Sequence, residues 1–447
     1  MLLLLTAFLF LNEPAGAQDA AVNGDRPGLP RIAAWMQDYA DRHAPQLAAR
    51  SALLLDATTG AVLYEQEADF VIPPASLTKV VAMHLVFALA ERGELNLDEE
   101  VDLPPESWAV NLPPGSSLMF LGPDQRVTVR QLLMGLAVPS GNDAAIALAL
   151  HVAGSVPRFA ELMTAEARAL GLPSLSFEEP SGLSPENRIT AREFARFIQH
   201  YVGRWPEATL DYHSVRQFTW PPQPETVEPP GVAGSSAAGS GGSGGDGGNA
   251  TQPARHSNSI TQFNRNSLLQ SYPGVDGVKT GFIRQSRYNL AATAARDDRR
   301  LVAIVLGAPG ETHAEGERNR ARDAAQLLDY GFDHFTNITL ELPSAEPVRV
   351  WKGGLQSVEL EARGPRELTI PVTDLVHLRG ELEQRQEVEA PVQTDQSLGR
   401  VTIHAREQQL LELPLYPVQE VPRGSLLRVI WDGIVRFVLG IAASLRG

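Results

Sequence analysis

The sequence predicts an α+β domain, an antiparallel sheet with a helical region inserted, followed by a small all-β module and a C-terminal amphipathic helix. Three patterns in the 447 residues predict it. Between about residues 21 and 335, strand-like segments come first, helical segments next, then three more strand-like segments and a helix. From 336 to about 421, apolar residues alternate with period two. The last segment, Ser425 to Gly447, sets a polar stripe on an otherwise apolar helical pattern. With 43% hydrophobic and 20% charged residues the composition is ordinary for a globular chain, which excludes wholesale disorder. A net charge of −15 repels phosphate backbones and argues against nucleic acid as a partner. The absence of cysteine excludes a disulfide framework, a thiolate nucleophile and cysteine zinc sites.

The elements follow in order. Residues 1–17 read as a signal peptide: a short apolar run, then Ala15-Gly16-Ala17 as a small-residue cleavage site, although no basic residue precedes the run. Ser51 to Asp56 and Gly60 to Tyr64 read as two strands joined at Thr58, Thr59 and Gly60. Leu77 to Ala90 is apolar almost all round and stops at Gly93, the pattern of a buried helix. Residues 221–256 are rich in Gly, Pro and Ser and read as a flexible surface insertion. Val275 to Lys279, Tyr288 to Ala294 and Leu301 to Leu306 read as strands, and Arg320 to Tyr330 as a helix ended by Gly331. Val348-x-Val350, Val358-x-Leu360, Leu368-x-Ile370-x-Val372, Val401-x-Ile403 and Leu411-x-Leu413-x-Leu415 supply the β-module, residues 336–421. Over 425–447, Arg428, Asp432 and Arg436 form the polar stripe; with four Arg against one Asp from Arg423 onward, the segment reads as a helix lying in a membrane interface.

Lysine usage directs attention to the chemistry. Of 38 basic residues only Lys79, Lys279 and Lys352 are lysine. A lysine kept against such a bias marks a position where a titratable amine or a compact charge is needed. In Ser76-x-x-Lys79 the serine starts the buried helix and the lysine follows one turn later, so hydroxyl and amine share a face. A neutral amine there can take the hydroxyl proton, and the helix N-terminus favours a developing oxyanion. Ser140-Gly141-Asn142 lies between two helical segments, where a hydroxyl and an amide can enter a cleft or simply cap a helix. Lys279-Thr280-Gly281 on a strand offers charge and hydroxyl to a carboxylate, with glycine admitting substrate backbone. His84 reads as a satisfied core histidine, and no H-x-x-x-H or H-E-x-x-H pair supports a metal hydrolase.

Each motif alone is weak; the three in this order are specific. Together they resemble the penicillin-binding proteins and serine β-lactamases, and within that superfamily the low-molecular-mass D-alanyl-D-alanine carboxypeptidases. Supporting stretches are Gly115 to Leu121, Pro180-Ser-Gly-Leu183, Asn264-Arg-Asn-Ser-Leu-Leu269 and Arg320 to Phe332. The resemblance implies a penicillin-binding, transpeptidase-like fold and a periplasmic enzyme attached to the inner membrane. Such an enzyme trims the terminal D-alanine from peptidoglycan stem peptides, needs no cofactor or metal, and takes β-lactams as inhibitors. It implies Ser76 as acylated nucleophile, Lys79 as its base, Ser140 as proton shuttle and Asn142 as an orienting amide. Lys279, Thr280 and Arg320 would meet the terminal carboxylate, and the backbone NH groups of Ser76 and Phe282 would form the oxyanion hole. Gly281 belongs to the same strand motif, and Arg265 resembles a family position near the cleft, with a structural role equally open. Phe282-Ile283 and Ser286-Arg287 depart from the family, which often has His-Thr or Tyr-Thr and a small Ala-Gly pair there. Two other readings stay open: a β-lactamase, against which counts the lack of E-x-x-L-N between Asn142 and Lys279, and a catalytically slow peptidoglycan-binding protein.

Overall fold

The computed structural model describes residues 32–222 and 259–444, with side chains of the last helix as far as Val438. The expected leader over 1–17, and all of the expected insertion over 221–256 except Pro221 and Pro222, lie outside the described residues. Residues 30–335 form one compact unit, and those from Thr336 onward belong to a second.

In the first unit, β1 (Ser51–Asp56) is buried at every position, as expected of a central strand covered on both faces. With β2 (Val62–Gln66), β3 (Val275–Ile283), β4 (Arg287–Arg296) and β5 (Arg299–Ala308) it forms an antiparallel sheet of order β2-β1-β5-β4-β3. Register is set by pairs such as Leu53 with Ile304 and Thr280 with Leu290. Ala52 and Leu54 join Ala324, Leu327 and Leu328 in one core cluster. Leu53 and Leu55, equally buried, point the other way by the strand's period of two. Strand β3 is an edge strand, so one of its sides is left for something other than sheet.

Five helices pertain to the site: α1 (Thr78–Glu91), α2 (Val129–Ala137), α3 (Asn142–Ala153), α4 (Ala191–Arg204) and α5 (His313–His334). Helix α1 is buried from Thr78 to Ala88, matching its all-round apolar pattern. Thr128 caps α2 and Gln131 completes the capping box. Helix α5 is longer than the sequence suggests. Thr312 caps it through the Glu315 N–H, and it runs through Gly331 instead of stopping there. A Cβ at Gly331 would lie 2.5 Å from Leu301 Cδ1 and 2.9 Å from Leu54 Cδ2, so this glycine admits close packing on the sheet rather than ending a helix.

The second unit contains a four-stranded sheet, with Gly399–Ala405 and Gln408–Pro417 at its centre, and a three-stranded sheet around Val348–Trp351. Their buried faces are Val401, Ile403, Leu413 and Leu415, and Val348, Val350, Val358, Val392 and Val421. Val372 is not a strand residue: Glu367–Pro371 ends before it, and it sits 45% exposed in a tight helical turn. Strands Leu378–Gln384 and Glu387–Glu389 were not anticipated, because their charged, largely exposed faces carry little apolar alternation.

The last helix, α6 (Leu426–Ser444), turns its polar stripe inward. Asp432 is buried, accepting the Lys352 backbone N–H at 2.7 Å and Arg428 Nε at 3.1 Å, while Arg436 reaches Glu387 and Glu389 at 3.5 and 3.3 Å. Leu427, Ile430, Trp431, Ile434, Phe437 and Val438 are all more than half exposed. Arg428 and Arg436 both pair with carboxylates of their own unit. Among the described residues no single helix is long and apolar enough to cross a membrane.

Candidate active site

The Pro73–Pro74 segment brings Ser76 to the start of α1. Buried Asn289 of β4 donates to the carbonyls of Pro73 and Pro74, both at 3.2 Å, and accepts the Gly307 N–H at 2.9 Å. Ala75 then takes a left-handed backbone, φ 52°, as it opens the short 3-10 turn Ala75–Leu77 that leads into the helix. Such a conformation in a residue other than glycine costs of the order of 1–3 kcal/mol and persists only where the surroundings hold it. Gly182 supplies part of that hold: at φ 86°, its missing Cβ would fall 1.9 Å from the Ala75 carbonyl oxygen. Ser76 is half-buried.

Lys79 is fully buried, with Nζ 3.2 Å from Ser76 Oγ, 2.8 Å from Asn142 Oδ1 and 2.5 Å from the Ser181 carbonyl oxygen. Its pKa is pulled down to about 7, foremost by burial; Glu179 opposes the shift, Arg265 adds to it and Asp143 opposes it. Asn142 Oδ1 and the Ser181 carbonyl can only accept. A neutral Lys79 therefore gives its two remaining N–H groups to them and keeps its lone pair for the Ser76 hydroxyl proton. Arg265 is the cation that adds to the effect of burial on Lys79.

Ser140 is buried, in left-handed backbone at φ 65°, and its Oγ has no hydrogen-bond partner among the described residues. The helix-capping alternative does not apply, since Gly141 is the N-cap of α3 and no side chain caps it. The same helix start fixes Asn142 on Lys79.

Lys279 and Thr280 are buried on β3, and Lys279 Nζ donates to the Thr280 carbonyl at 3.2 Å. Gly281 passes so close to the segment before Ser76 that a Cβ would lie 2.8 Å from the Pro74 carbonyl oxygen and 3.1 Å from Ala75 Cβ. Its carbonyl accepts Arg320 Nη1 at 3.2 Å, and Arg320 also meets Glu317 at 3.4 Å. Burial pushes Lys279 well below its ordinary value, with Lys79, Arg265 and Arg320 adding to the effect. Burial lowers Arg320 to about 10, with Glu317 opposing and Arg265 adding. Lys279, Arg265 and Arg320 thus crowd positive charge into one region, the electrostatic requirement for holding a carboxylate.

The family model of D-alanyl-D-alanine carboxypeptidases matches residues 38–226 and 249–310. The chain belongs to the D-alanyl-D-alanine carboxypeptidase family. A further model, the C-terminal domain of penicillin-binding protein 5, matches residues 343–423. D-alanyl-D-alanine carboxypeptidase DacC of Escherichia coli is 32% identical over 399 residues, covering 88% of this chain and 89% of that protein. Penicillin-binding protein 5 from Haemophilus influenzae has a similar structure, with TM-score 0.68 and 30% identity over 85% of this chain and 99% of that one. Penicillin-binding protein D2 from Listeria monocytogenes, solved in a cefotaxime-bound form, has TM-score 0.50 and 26% identity over 64% of this chain and 98% of its own. The carboxypeptidase is thus a serine-type hydrolase of the cell wall with the penicillin-binding fold expected from its motifs.

The departures of this carboxypeptidase from its family's pattern have local explanations. Phe282 is 41% exposed, stacks on Tyr288 with ring centroids 4.5 Å apart and meets His313 edge-on, so an aromatic platform stands directly after Lys279-Thr280-Gly281. Arg287 has φ 56°, the geometry a glycine serves more easily, and Ser286 is buried on Asn289 at 3.1 Å. Three positioning groups were missed in the sequence. Asp143 accepts the backbone N–H groups of Met119, Phe120 and Leu121; its place directly after Asn142 was the available signal. Asn289 was legible only as a polar residue in an apolar strand, and Glu179 carried no signal beyond adjoining Pro180-Ser-Gly-Leu183. His84 is buried as expected but not satisfied: its Nδ1 has no partner among the described residues, and burial pushes its pKa down to about 3, with His200 and Arg92 adding, so it stays neutral.

Proposed function

We propose that Ser76 is the acylated nucleophile of this carboxypeptidase and Lys79 its base. The observation that carries the assignment is the three-point hold on Lys79 Nζ, by Asn142 Oδ1, the Ser181 carbonyl and Ser76 Oγ. Neutral Lys79 takes the Ser76 proton as Oγ attacks the carbonyl carbon of the penultimate D-alanine. The resulting oxyanion accepts from the backbone N–H groups of Ser76 and Phe282. The unpartnered hydroxyl of Ser140 relays the proton to the amide nitrogen, the C–N bond breaks and D-alanine leaves, with the stem peptide esterified to Ser76. Water then enters by the same route reversed and frees Ser76.

Lys279, Thr280 and Arg320 receive the terminal carboxylate, with Arg265 beside them and Gly281 giving the peptide backbone room. A β-lactam brings its own carboxylate and a strained amide to the same groups and stops at the ester. The apolar face of α6 attaches the chain to the outer leaflet of the inner membrane, which puts the enzyme in the periplasm. The deciding assay uses a pentapeptide ending in D-Ala-D-Ala together with mass analysis after penicillin treatment. D-alanine release by the wild type, a covalent adduct on Ser76 and loss of both in Ser76→Ala and Lys79→Arg are expected. Near-normal labelling of Lys79→Arg removes Lys79 as base, because arginine keeps the charge but accepts no proton. A stable adduct with no D-alanine release would favour a slow binding protein.

A further inference from the structure

The turn at residues 179–184 touches the Lys79 side chain and the backbone that carries Ser76. Its Ser181 carbonyl receives Lys79 Nζ, and its Gly182 lies where a Cβ would meet Ala75 O and come within 2.8 Å of Ser76 N. One carboxylate shapes this turn. Glu179 Oε2 accepts the Ser181 N–H at 2.7 Å and the Ser181 hydroxyl at 2.5 Å. Its Oε1 accepts the N–H groups of Gly182 and Ser184 at 2.6 and 3.1 Å and Asn187 Nδ2 at 3.4 Å. Asn187, fully buried, also donates to Thr78 Oγ1 at 3.2 Å, tying the turn to the residue beside Lys79. With both oxygens occupied by donors of its own turn, Glu179 is not placed to serve as a general base for water.

We propose that Glu179 is a positioning residue for Lys79: it fixes the Ser181 carbonyl that receives one of the amine's protons and sets a negative charge behind the amine. The inference rests on the reading of Lys79 as base. The charges facing Lys79 are Glu179 from this turn, Asp143 from α3, Arg265 from the loop before Leu268, and Lys279 from β3. Asp143 is engaged by the Met119, Phe120 and Leu121 N–H groups, and the other two are cations. Glu179 is the largest of the charges that favour the protonated amine. It therefore balances burial and keeps the amine basic enough to accept the serine proton.

The test measures penicillin acylation rate against pH for the full chain, for Glu179→Gln and for Glu179→Asp, with folding checked by circular dichroism. Glutamine removes the charge and turns an NH2 group toward N–H donors. Its plateau is expected to fall about tenfold, for a misplaced catalytic group, and its acid limb to move down by roughly half a pH unit or more, for a lost charge. Aspartate keeps the charge on a shorter stem, so its limb should stay in place while its plateau falls. Folded Glu179→Gln with wild-type plateau and limb overturns the proposal. If only Glu179→Asp folds, a wild-type plateau in that variant overturns it. Failure of both to fold assigns Glu179 to the fold alone and also overturns it. Near-normal acylation by Lys79→Arg would instead remove the base assignment itself, so the two failures are distinguishable.

Discussion

The proposed role of Lys79 as base requires its neutral form, and its pKa near 7, set first by burial, makes that state available at neutral pH. Below this value the amine is protonated, so the acylation rate should fall about tenfold for each pH unit and rise to a plateau above it. A profile of the second-order rate of penicillin acylation, with its acid limb near 10, would contradict the assignment. The carboxylate end makes a separate prediction. Replacing Lys279 or Arg320 by a neutral residue removes one partner of a buried charge-assisted contact and should cost roughly 2–5 kcal/mol in kcat/KM for the pentapeptide. A C-terminally amidated peptide should lose most of its turnover in the wild type and be nearly insensitive to either replacement. Equal turnover of amidated and free-acid peptides would mean that no carboxylate is read there. The lysine bias of the sequence points to Lys79 and Lys279, because a titratable amine and a compact charge are needs that residue type alone expresses. Ser140 was legible as a candidate but its left-handed backbone was not, since strain is a property of how surrounding elements hold the chain.

Helix α5 illustrates how one residue type carries two messages at the level of an element. Gly331 looks like a stop signal, yet the helix passes through it because Leu301 and Leu54 occupy the space a Cβ would need. Gly331→Ala therefore pits two effects against each other. Helix propensity favours alanine by about 1 kcal/mol. Contacts of 2.5 and 2.9 Å to sheet side chains oppose it, and overpacking a filled core typically costs about 1–3 kcal/mol. Leu54 and Leu301 belong to the sheet core and have little freedom to yield, so the net effect should be a loss of stability, read as a lower urea midpoint at unchanged slope. An increase would mean that the core beneath α5 is loose. The central strands were readable because burial on both faces writes an unbroken apolar run. Leu378–Gln384 was not, because this edge strand, paired to Gly399–Ala405, puts only Leu378 and Leu382 against the core, with Gly380 between them, and so shows little apolar alternation.

On the scale of the whole chain, the described active-site residues lie within 30–335, whereas α6 packs on the second unit. The sequence identified the amphipathic helix but not which face would be used inward, since a polar stripe suits solvent, lipid headgroups or buried ion pairs equally well. Pairing of Asp432 with the Lys352 N–H and Arg428, and of Arg436 with Glu387 and Glu389, spends the stripe on the helix's own unit. What remains outward is apolar: Leu427, Ile430, Trp431, Ile434, Phe437 and Val438. Burying a large apolar side chain yields about 1.5–3 kcal/mol, so six buried halfway in an interface would contribute roughly 5–9 kcal/mol, mostly independent of ionic strength. Attachment should accordingly survive 1 M salt and yield to detergent, the reverse of what arginines bound to anionic lipid would give. Deleting residues 425–447 should move the protein to the soluble fraction while leaving kcat/KM on a soluble pentapeptide unchanged. A deleted form that still sediments with membranes, or a full chain washed off by salt alone, would show that some other surface makes the contact.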